Sequence, residues 1–478
     1  MPELGAAADC LEDKDNLERI RHELEAQKCT PNDNVTLLID GQFPVESDRW
    51  HSWWEQLREA VGAQRASATK AKSQDHKMRC FATGHLISPA RTHPKIQGLA
   101  DVGGSSAGSP FASFNKPAFC SYGLIQSANA AVSEEAAAAY RAGLNHLISN
   151  NSETLAGAKM IYWYKERVPD VDDPMAWLMG DIMDSKTEKL SAEELARDLL
   201  ESISSGERSL LGQNHYYAVS LSGAKGRVMV RDWIEGQFED LVRNIDAWFD
   251  DLAIVSPNGN DLLPGPRFRN VVAATHREIK DCPAPLVSEL WRSAVRNELI
   301  PLPAVTNTLR LWKSCIIKGD ASKRYAMSLL KAHHVRWQRS RGGTNVEPDL
   351  RTHLNESHPS VAYHCGRLMA VLAAVQQAAL GDVGAGVVQR YYAAASSTPA
   401  LVLGRLTRTS QHHLGKLSKG LAFWYDNRLA EIWNAIGDSL PTTLTPEEQS
   451  LFALGYYQQL ADLRKKRNIE VEEAKDNA

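Results

Sequence analysis

The sequence predicts an α+β fold: a mixed α/β body followed by an all-α helical bundle at the C-terminus. Three observations carry this. Alternating, β-branched or aromatic runs are confined to the first 285 residues. A Gly/Pro-dense stretch interrupts them at 86–121. Beyond residue 285, every apolar segment repeats at helical spacing.

The elements follow in order. Residues 1–34 read as a polar N-terminal tail in which LERIRHELEAQ forms one short helix. VTLLIDG at 35–41 is a short strand ending in a turn, and RWHSWWEQLREAV places Trp50, Trp53, Trp54, Leu57 and Val61 at helical spacing. Pro89, Pro94, Pro110 and Pro117, with Gly98, Gly103, Gly104 and Gly108, exclude a long helix and predict a long ordered or semi-ordered loop region, of a length at which loops are usually functional or disordered. Ser133 caps a helix whose first turn holds Glu134 and Glu135. AKMIYWYKE is a strand. Ser191 and Glu194 form a capping box, and HYYAVSLSGAKGRVMVRDW is a hairpin. FEDLVRNIDAWFDDLAI returns to helix. The mixed body thus spans 35–285 and the helical region 286–478. There, Thr445, Pro446 and Glu448 combine a capping box with proline at the first helical position.

The chain has 478 residues, enough for two to four domains and a sizeable core. Its seven cysteines lie far apart with no CxxC, which argues against a disulfide framework and fits a reducing cytosol. The N-terminus lacks the basic start and apolar run of a signal peptide, and no stretch is apolar enough to span a membrane. A cytoplasmic protein without membrane contact is expected.

Net charge is −4, but the charge is unevenly distributed. Residues 299–346 hold nine Lys/Arg against Asp320 alone, residues 383–425 hold five and no acid, and residues 65–100 hold seven against Asp75. Basic stretches of this kind suit phosphate binding, because Lys and Arg displace condensed counterions. Three of them suggest that a nucleic-acid backbone is tracked. The plainer reading, solvated basic faces on bundled helices, fits the same pattern.

The chemical motifs point away from catalysis. Gly104-Ser105-Ser106-Ala107-Gly108 matches GxSxG, but LADVG precedes it and SPFASFNKP follows, where a nucleophile elbow needs strand and helix. Cys80, His85, His93 and Cys120 lack zinc-ligand spacing. His333-His334 and His412-His413 are adjacent pairs that diverge on a helix. No phosphate loop, dinucleotide fingerprint or HExxH is present. Neither a metal nor a cofactor is expected.

Three longer stretches carry a resemblance. They are CFATGHLISPARTHPKIQGL with GGSSAGSPFASFNKPAFCSYGLIQSANAAVSEEAAAAYRAGLNHLI, the Tyr216–Trp233 hairpin, and AYHCGRLMAVLAAVQQAALG with RYYAAASSTPALVLGRLTRTSQHHLGKL and LTPEEQSLFALGYYQQ. In this order, from about residue 35 to 467, the chain resembles the large-subunit family of the type I-C CRISPR effector complex, the Csd-type family. The resemblance implies a non-catalytic subunit of an RNA-guided surveillance complex in antiviral defence. Such a subunit helps recognise the motif beside the target, helps open the duplex and holds the displaced strand. Implied partners are the guide RNA, the backbone subunits, double-stranded target DNA and a recruited helicase–nuclease. The family's C-terminal portion resembles the small subunit, here about 349–478, and is also made separately in the family; Met327 and Met369 flank that boundary. Family members carry a further region before the VTLLIDG-like strand, where this chain has 34 polar residues, so part of the motif-reading surface is expected to be missing.

Candidate contacts follow from residue chemistry. Arg91, Lys95, Gln97, Asn115 and Lys116 offer donors among glycines, and such side chains read guanine or adenine edges. Lys323, Arg324, Lys331, Arg336, Arg405, Arg408, Lys416 and Lys419 are candidates for phosphate. His412 and Tyr392 could stack on bases, although core packing suits Tyr392 better. Two other classes fit the residues: a stand-alone nucleic-acid-binding protein, and a hydrolase using Ser105 or Ser106.

Overall fold

The computed structural model describes residues 13–27, 43, 52–53, 56–57, 77–180, 191–224, 226–318, 323–342, 349–381, 383 and 386–476, with side chains to residue 465. The chain divides at 77/78 into two compact units. In the first, helix α1 (Lys14–Ala26) is capped by Asp13, whose carboxylate accepts the Asp15 N–H at 3.0 Å. None of its residues is buried. The strand expected at 35–41 lies outside the described residues. Of the tryptophan-rich helix, Ser52, Trp53, Gln56 and Leu57 are described, and all are helical.

The second unit is α+β, with its sheets first and a run of helices at the C-terminus. Two small antiparallel pairs open it: β1 (Met78–Arg79) with β2 (Leu86–Ile87), and β3 (Lys95–Ile96) with β4 (Ser109–Pro110). Helix α2 (Glu134–Asn150) starts where Ser133 accepts the Ala136 N–H at 3.1 Å. A four-stranded antiparallel sheet follows, in the order β5 (Ser152–Leu155), β6 (Ala158–Tyr164), β7 (His215–Ala224), β8 (Arg227–Gln237). Between β6 and β7 come the short α3 (Pro174–Met179), then α4 (Ala192–Ser204) with both halves of the Ser191/Glu194 capping box formed, then the single turn α5 (Ser209–Gly212).

The sheet is the middle layer because both of its faces are apolar. One face offers Met160, Tyr216, Ala218 and Ile234 to α6 (Phe238–Leu252), α7 (Phe268–Ala273) and α8 (Ala284–Arg296). The other offers Ile161, Val219, Leu221 and Val228 to Ile148 of α2 and to Ile96, Leu99 and Val102 of the Gly/Pro-rich stretch. That stretch is therefore an ordered flap rather than a free loop. Each of its three anchors is at most 4% exposed, and each such burial contributes about 1.5–3 kcal/mol before ordering costs. Its seat is close: a Cβ on Gly223 of β7 would fall 2.0 Å from the Gly104 nitrogen.

Beyond Gln237 the described residues hold helices and one isolated bridge, Val255 to Leu262. The change at 285/286 is one of composition and not a break in the core. Leu286, Val287 and Leu290 share one apolar cluster with Met160, and with Leu329 and Leu330 of α10 (Ala326–Gly342), which follows α9 (Leu302–Lys318). A second cluster fills the helices α11 (Val361–Leu380), α12 (Val387–Ala395), α13 (Pro399–Leu414), α14 (Lys419–Ile436) and α15 (Pro446–Asp476). Helix α15 serves both clusters, through Leu454 and Tyr457 on one side and Phe452 and Tyr456 on the other. Thr445 and Glu448 cap it reciprocally, at 2.8 and 3.3 Å. No described helix is long and apolar enough to cross a membrane.

Histidines are built into this helical packing in their neutral form. The Ser450 hydroxyl donates to the Glu447 carbonyl at 2.6 Å, so it accepts from His334 Nε2–H. His358 Nδ1 accepts the Ser360 N–H at 3.0 Å while its ring stacks on Tyr363 at 4.3 Å. Burial pushes His334 down to about 3 and His358 down to about 4. Unfolded histidine protonates near 6.5, so below that pH the unfolded chain binds more protons than the folded one. Stability should fall as pH drops from about 6.5 towards 4, by up to ~1.4 kcal/mol per pH unit for each of the two. Urea unfolding at pH 7.5 and 5 measures this, and equal stability at both would contradict it.

Candidate nucleic-acid interface

Two patches of exposed cations stand on this scaffold. The first belongs to the flap. Arg91, Lys95, Gln97, Asn115 and Lys116 are all exposed. Lys95 lies on β3, which the Ile96 anchor holds in place, and the Gln97 N–H is fixed by the Asn145 side-chain oxygen at 3.0 Å. Asn115 accepts from the Arg227 guanidinium at 3.2 Å, so its oxygen is already engaged and its amide N–H groups are what it can offer. Arg227 also lies over the Phe119 ring, 4.5 Å from its centroid. The one acid of residues 86–132, Asp101, meets Lys159 at 3.2 Å and Thr154 at 2.6 Å. Burial raises its carboxyl, but those two partners outweigh it and hold the group below its ordinary value. The flap therefore presents cations with no competing free carboxylate of its own.

The second patch is on α13 and the turn after it. Val402, Leu403, Leu406, Ser410 and Leu414 face inward, which leaves Arg405, Arg408 and His412 on the outer face. Lys416 and Lys419 continue the patch into the start of α14, and both are exposed. No acid lies between 383 and 425 in the sequence, so the segment that carries this patch contributes no carboxylate to it.

The third basic stretch does not behave as its charge suggested. Lys331 is 4% exposed, and its ammonium donates to the Asp250 and Asp251 carbonyls at 3.2 and 3.0 Å. Burial pushes it down to about 8, against the pull of the Asp251 and Asp250 carboxylates. Arg336 is 3% exposed and ion-pairs with buried Asp251 at 2.7 Å. The Lys323 ammonium binds the carbonyls of Ala273, His276 and Arg277 at 2.8–3.1 Å, closing the end of α7. These three expectations are corrected: their charges hold the helical body together and are not presented to phosphate. Of the four candidates named in this stretch Arg324 is exposed, as are Arg310, Lys318 and Arg341, which are not among those candidates. Helix α10 runs through the core, so Lys331, His333, His334 and Arg336 take hydrogen-bond partners from neighbouring elements inside it.

Tyr392 is fully buried, accepts from Trp312 Nε1 at 3.0 Å and meets Phe452 and Tyr456 edge-on, so it is a core residue and not a base platform. Gly104–Gly108 forms a turn leading into β4, with the Ser105 hydroxyl accepting the Ala107 N–H at 3.3 Å. The strand-to-helix setting of a nucleophile elbow is not what surrounds it. His93 bonds Tyr140 at 2.8 Å and the Ala130 carbonyl at 3.1 Å, and Cys80 is buried with Val132 and Ala137. Among the described residues, no three His, Cys, Asp or Glu side chains are grouped to hold a metal. Arg227 escaped the sequence reading because it lies in the hairpin, outside every basic run; its 112-residue separation from Asn115 leaves no local signal.

A family model described as CRISPR-associated protein (Cas_Csd1) matches residues 7–464. The chain belongs to that family. The match covers the flap, the sheet and the helical region together, so both basic patches lie within the part of the chain that is Cas_Csd1-like. No curated protein matches the chain. Membership makes this a CRISPR-associated protein.

Proposed function

We propose that this Cas_Csd1 protein is the non-catalytic large subunit of a type I-C CRISPR surveillance complex, acting in the cytoplasm with guide RNA and backbone subunits. In this reading it contributes to recognising the motif beside the target, to binding and opening duplex DNA, and to recruiting a helicase–nuclease. One observation carries it: two sets of exposed cations on ordered elements, the flap and α13, in a chain of this family. Base pairing by the guide would read sequence, leaving the protein the backbone and the adjacent motif, a division of labour also used by other RNA-guided effectors.

The test is co-expression with the backbone subunits and a guide RNA, then titration of target duplex with and without the adjacent motif across a salt series. The expected result is co-purification and a large motif-dependent difference in affinity. Equal binding to both duplexes would reduce the role to assembly. Failure to co-purify would leave a stand-alone nucleic-acid binder. Within that experiment, Arg405→Ala or Lys416→Ala should weaken binding to all sequences alike and lower the salt slope by about one each. An unchanged slope would remove that residue from the interface.

A further inference from the structure

The flap holds one side chain whose placement the fold itself does not explain. Ser121 to Leu124 form a tight turn closed by the Leu124 N–H on the Ser121 carbonyl at 2.9 Å. Both central residues have positive φ, +53° at Tyr122 and +74° at Gly123, as in a type I′ turn. Glycine accepts that conformation freely, but a bulky residue does so only under strain. Here Asn129 enforces it. Its side-chain oxygen accepts the Ser121 N–H at 2.9 Å, and its amide donates to the Leu124 and Gln126 carbonyls at 3.1 and 2.9 Å. The outcome is a tyrosine with 98% of its surface in solvent. Burial gives the fold no return for this ring, and strain that packing does not require collects at functional sites.

The surroundings indicate what covers it. Lys116 introduces the 3₁₀ turn Pro117–Phe119 that leads into the Tyr122 turn, and the Arg91 carbonyl accepts the Ser127 N–H at 3.4 Å just beyond it. Both cations are exposed, and the flap's one acid is already paired with Lys159. A protein pocket would cover the ring without calling for those charges. Nucleic acid uses both: phosphates meet the cations, and a base face meets the ring. An intact duplex resists such a ring because a step must first be unstacked, whereas at a duplex–single-strand junction the step is already open.

We infer that Tyr122 is a wedge that stacks on a base at a junction between duplex and single-stranded DNA, with Arg91 and Lys116 on the flanking phosphates. This rests on the nucleic-acid reading above. The probe is a forked DNA with 2-aminopurine at its first unpaired position, titrated with the full chain. Wild-type protein should bind the fork and quench the fluorophore. Tyr122→Ala should lose the quenching and roughly tenfold in affinity, the worth of one stacked base, with an unchanged salt slope. Tyr122→Phe should keep both, and neither change should shift the melting temperature, because the ring lies in solvent. Wild-type behaviour from Tyr122→Ala, or a Phe variant as poor as the Ala variant, would overturn the wedge. So would a Tyr122→Ala protein that binds the fork normally but no longer co-purifies with its protein partners, which would make the ring a protein contact. A wild-type chain that ignores the fork even at low salt would overturn the wedge, while the nucleic-acid reading would be decided separately by the titration of the assembled complex.

Discussion

Asp251→Ala should cost the second unit about 3–5 kcal/mol, because it strands a buried guanidinium. The Arg336 side chain is 2% exposed and the Asp251 carboxylate 1%. That carboxylate takes Arg336 Nε at 2.7 Å and Arg339 at 2.8 Å. Arg336 also donates to the Ser293 and Glu298 carbonyls and lies 5.1 Å from the Trp248 ring centroid. These bonds tie the end of α6 to α8 and α10. Their value lies less in the attraction than in what remains when one member goes, since a buried guanidinium without its carboxylate keeps only neutral dipoles and no water around its charge. A domain's whole stability is about 5–15 kcal/mol, so the loss would be visible in any denaturant titration. Arg339→Ala should cost far less, about 1 kcal/mol, because that side chain is 32% exposed and water can replace its partner. The double variant Asp251→Ala/Arg336→Met should recover much of the single loss, since the buried guanidinium leaves with its carboxylate, while Lys331 keeps the backbone carbonyls of residues 250 and 251. A cost below about 1 kcal/mol for Asp251→Ala would mean that water reaches the site.

The second large effect is steric. Helices α11 and α15 cross at two glycines. A Cβ on Gly366 would fall 1.9 Å from the Phe452 carbonyl oxygen, and one on Gly455 would fall 2.0 Å from that of Tyr363. Both obstacles are backbone, so no rotamer change relieves them and the helices must part. Parting also pulls on the buried polar bonds beside the crossing, Tyr363 to Gln458 at 2.5 Å and Arg367 to Gln459 at 3.0 Å. Overpacking of this kind costs about 1–3 kcal/mol and occasionally more, and the upper end is expected for Gly366→Ala and for Gly455→Ala. Gly143→Ala in α2 is the control: nothing lies within 4 Å of its added Cβ, so it should stabilise by up to about 1 kcal/mol. Stabilisation by all three would show that the helices do not meet this closely in solution.

The sequence by itself determined what is encoded over a few residues. The caps at Ser133, Ser191/Glu194 and Thr445/Glu448, the β6 strand and the β7–β8 hairpin all form as read. Each depends on side chains within one turn of the backbone they satisfy, or on a period of two that strands cannot hide. The α+β class and the helical C-terminal run follow from the same local signals. The four-residue β5 and the two-residue pairs of the flap were too short to leave a period.

Only the tertiary structure decided which charges face water. Arg405 and Arg408 looked no different in sequence from Lys331 and Arg336, since all four sit in basic, helical stretches. The difference is a partner: Asp251 lies 85 residues before Arg336, and the apolar cluster around α10 removes water from both. Glycine was ambiguous for the same reason. In isolation each helical glycine reads as a weak point that alanine would repair, and only the other helix, in contact at Gly366 and Gly455, makes the missing Cβ a requirement. Tyr122 is the third case. Its turn depends on Asn129, and its exposure depends on the flap being anchored by Ile96, Leu99 and Val102 against a sheet whose strands come later in the chain. Partners distant in sequence set burial, and burial sets whether a charge, a glycine or an aromatic ring serves the fold or is left for a ligand.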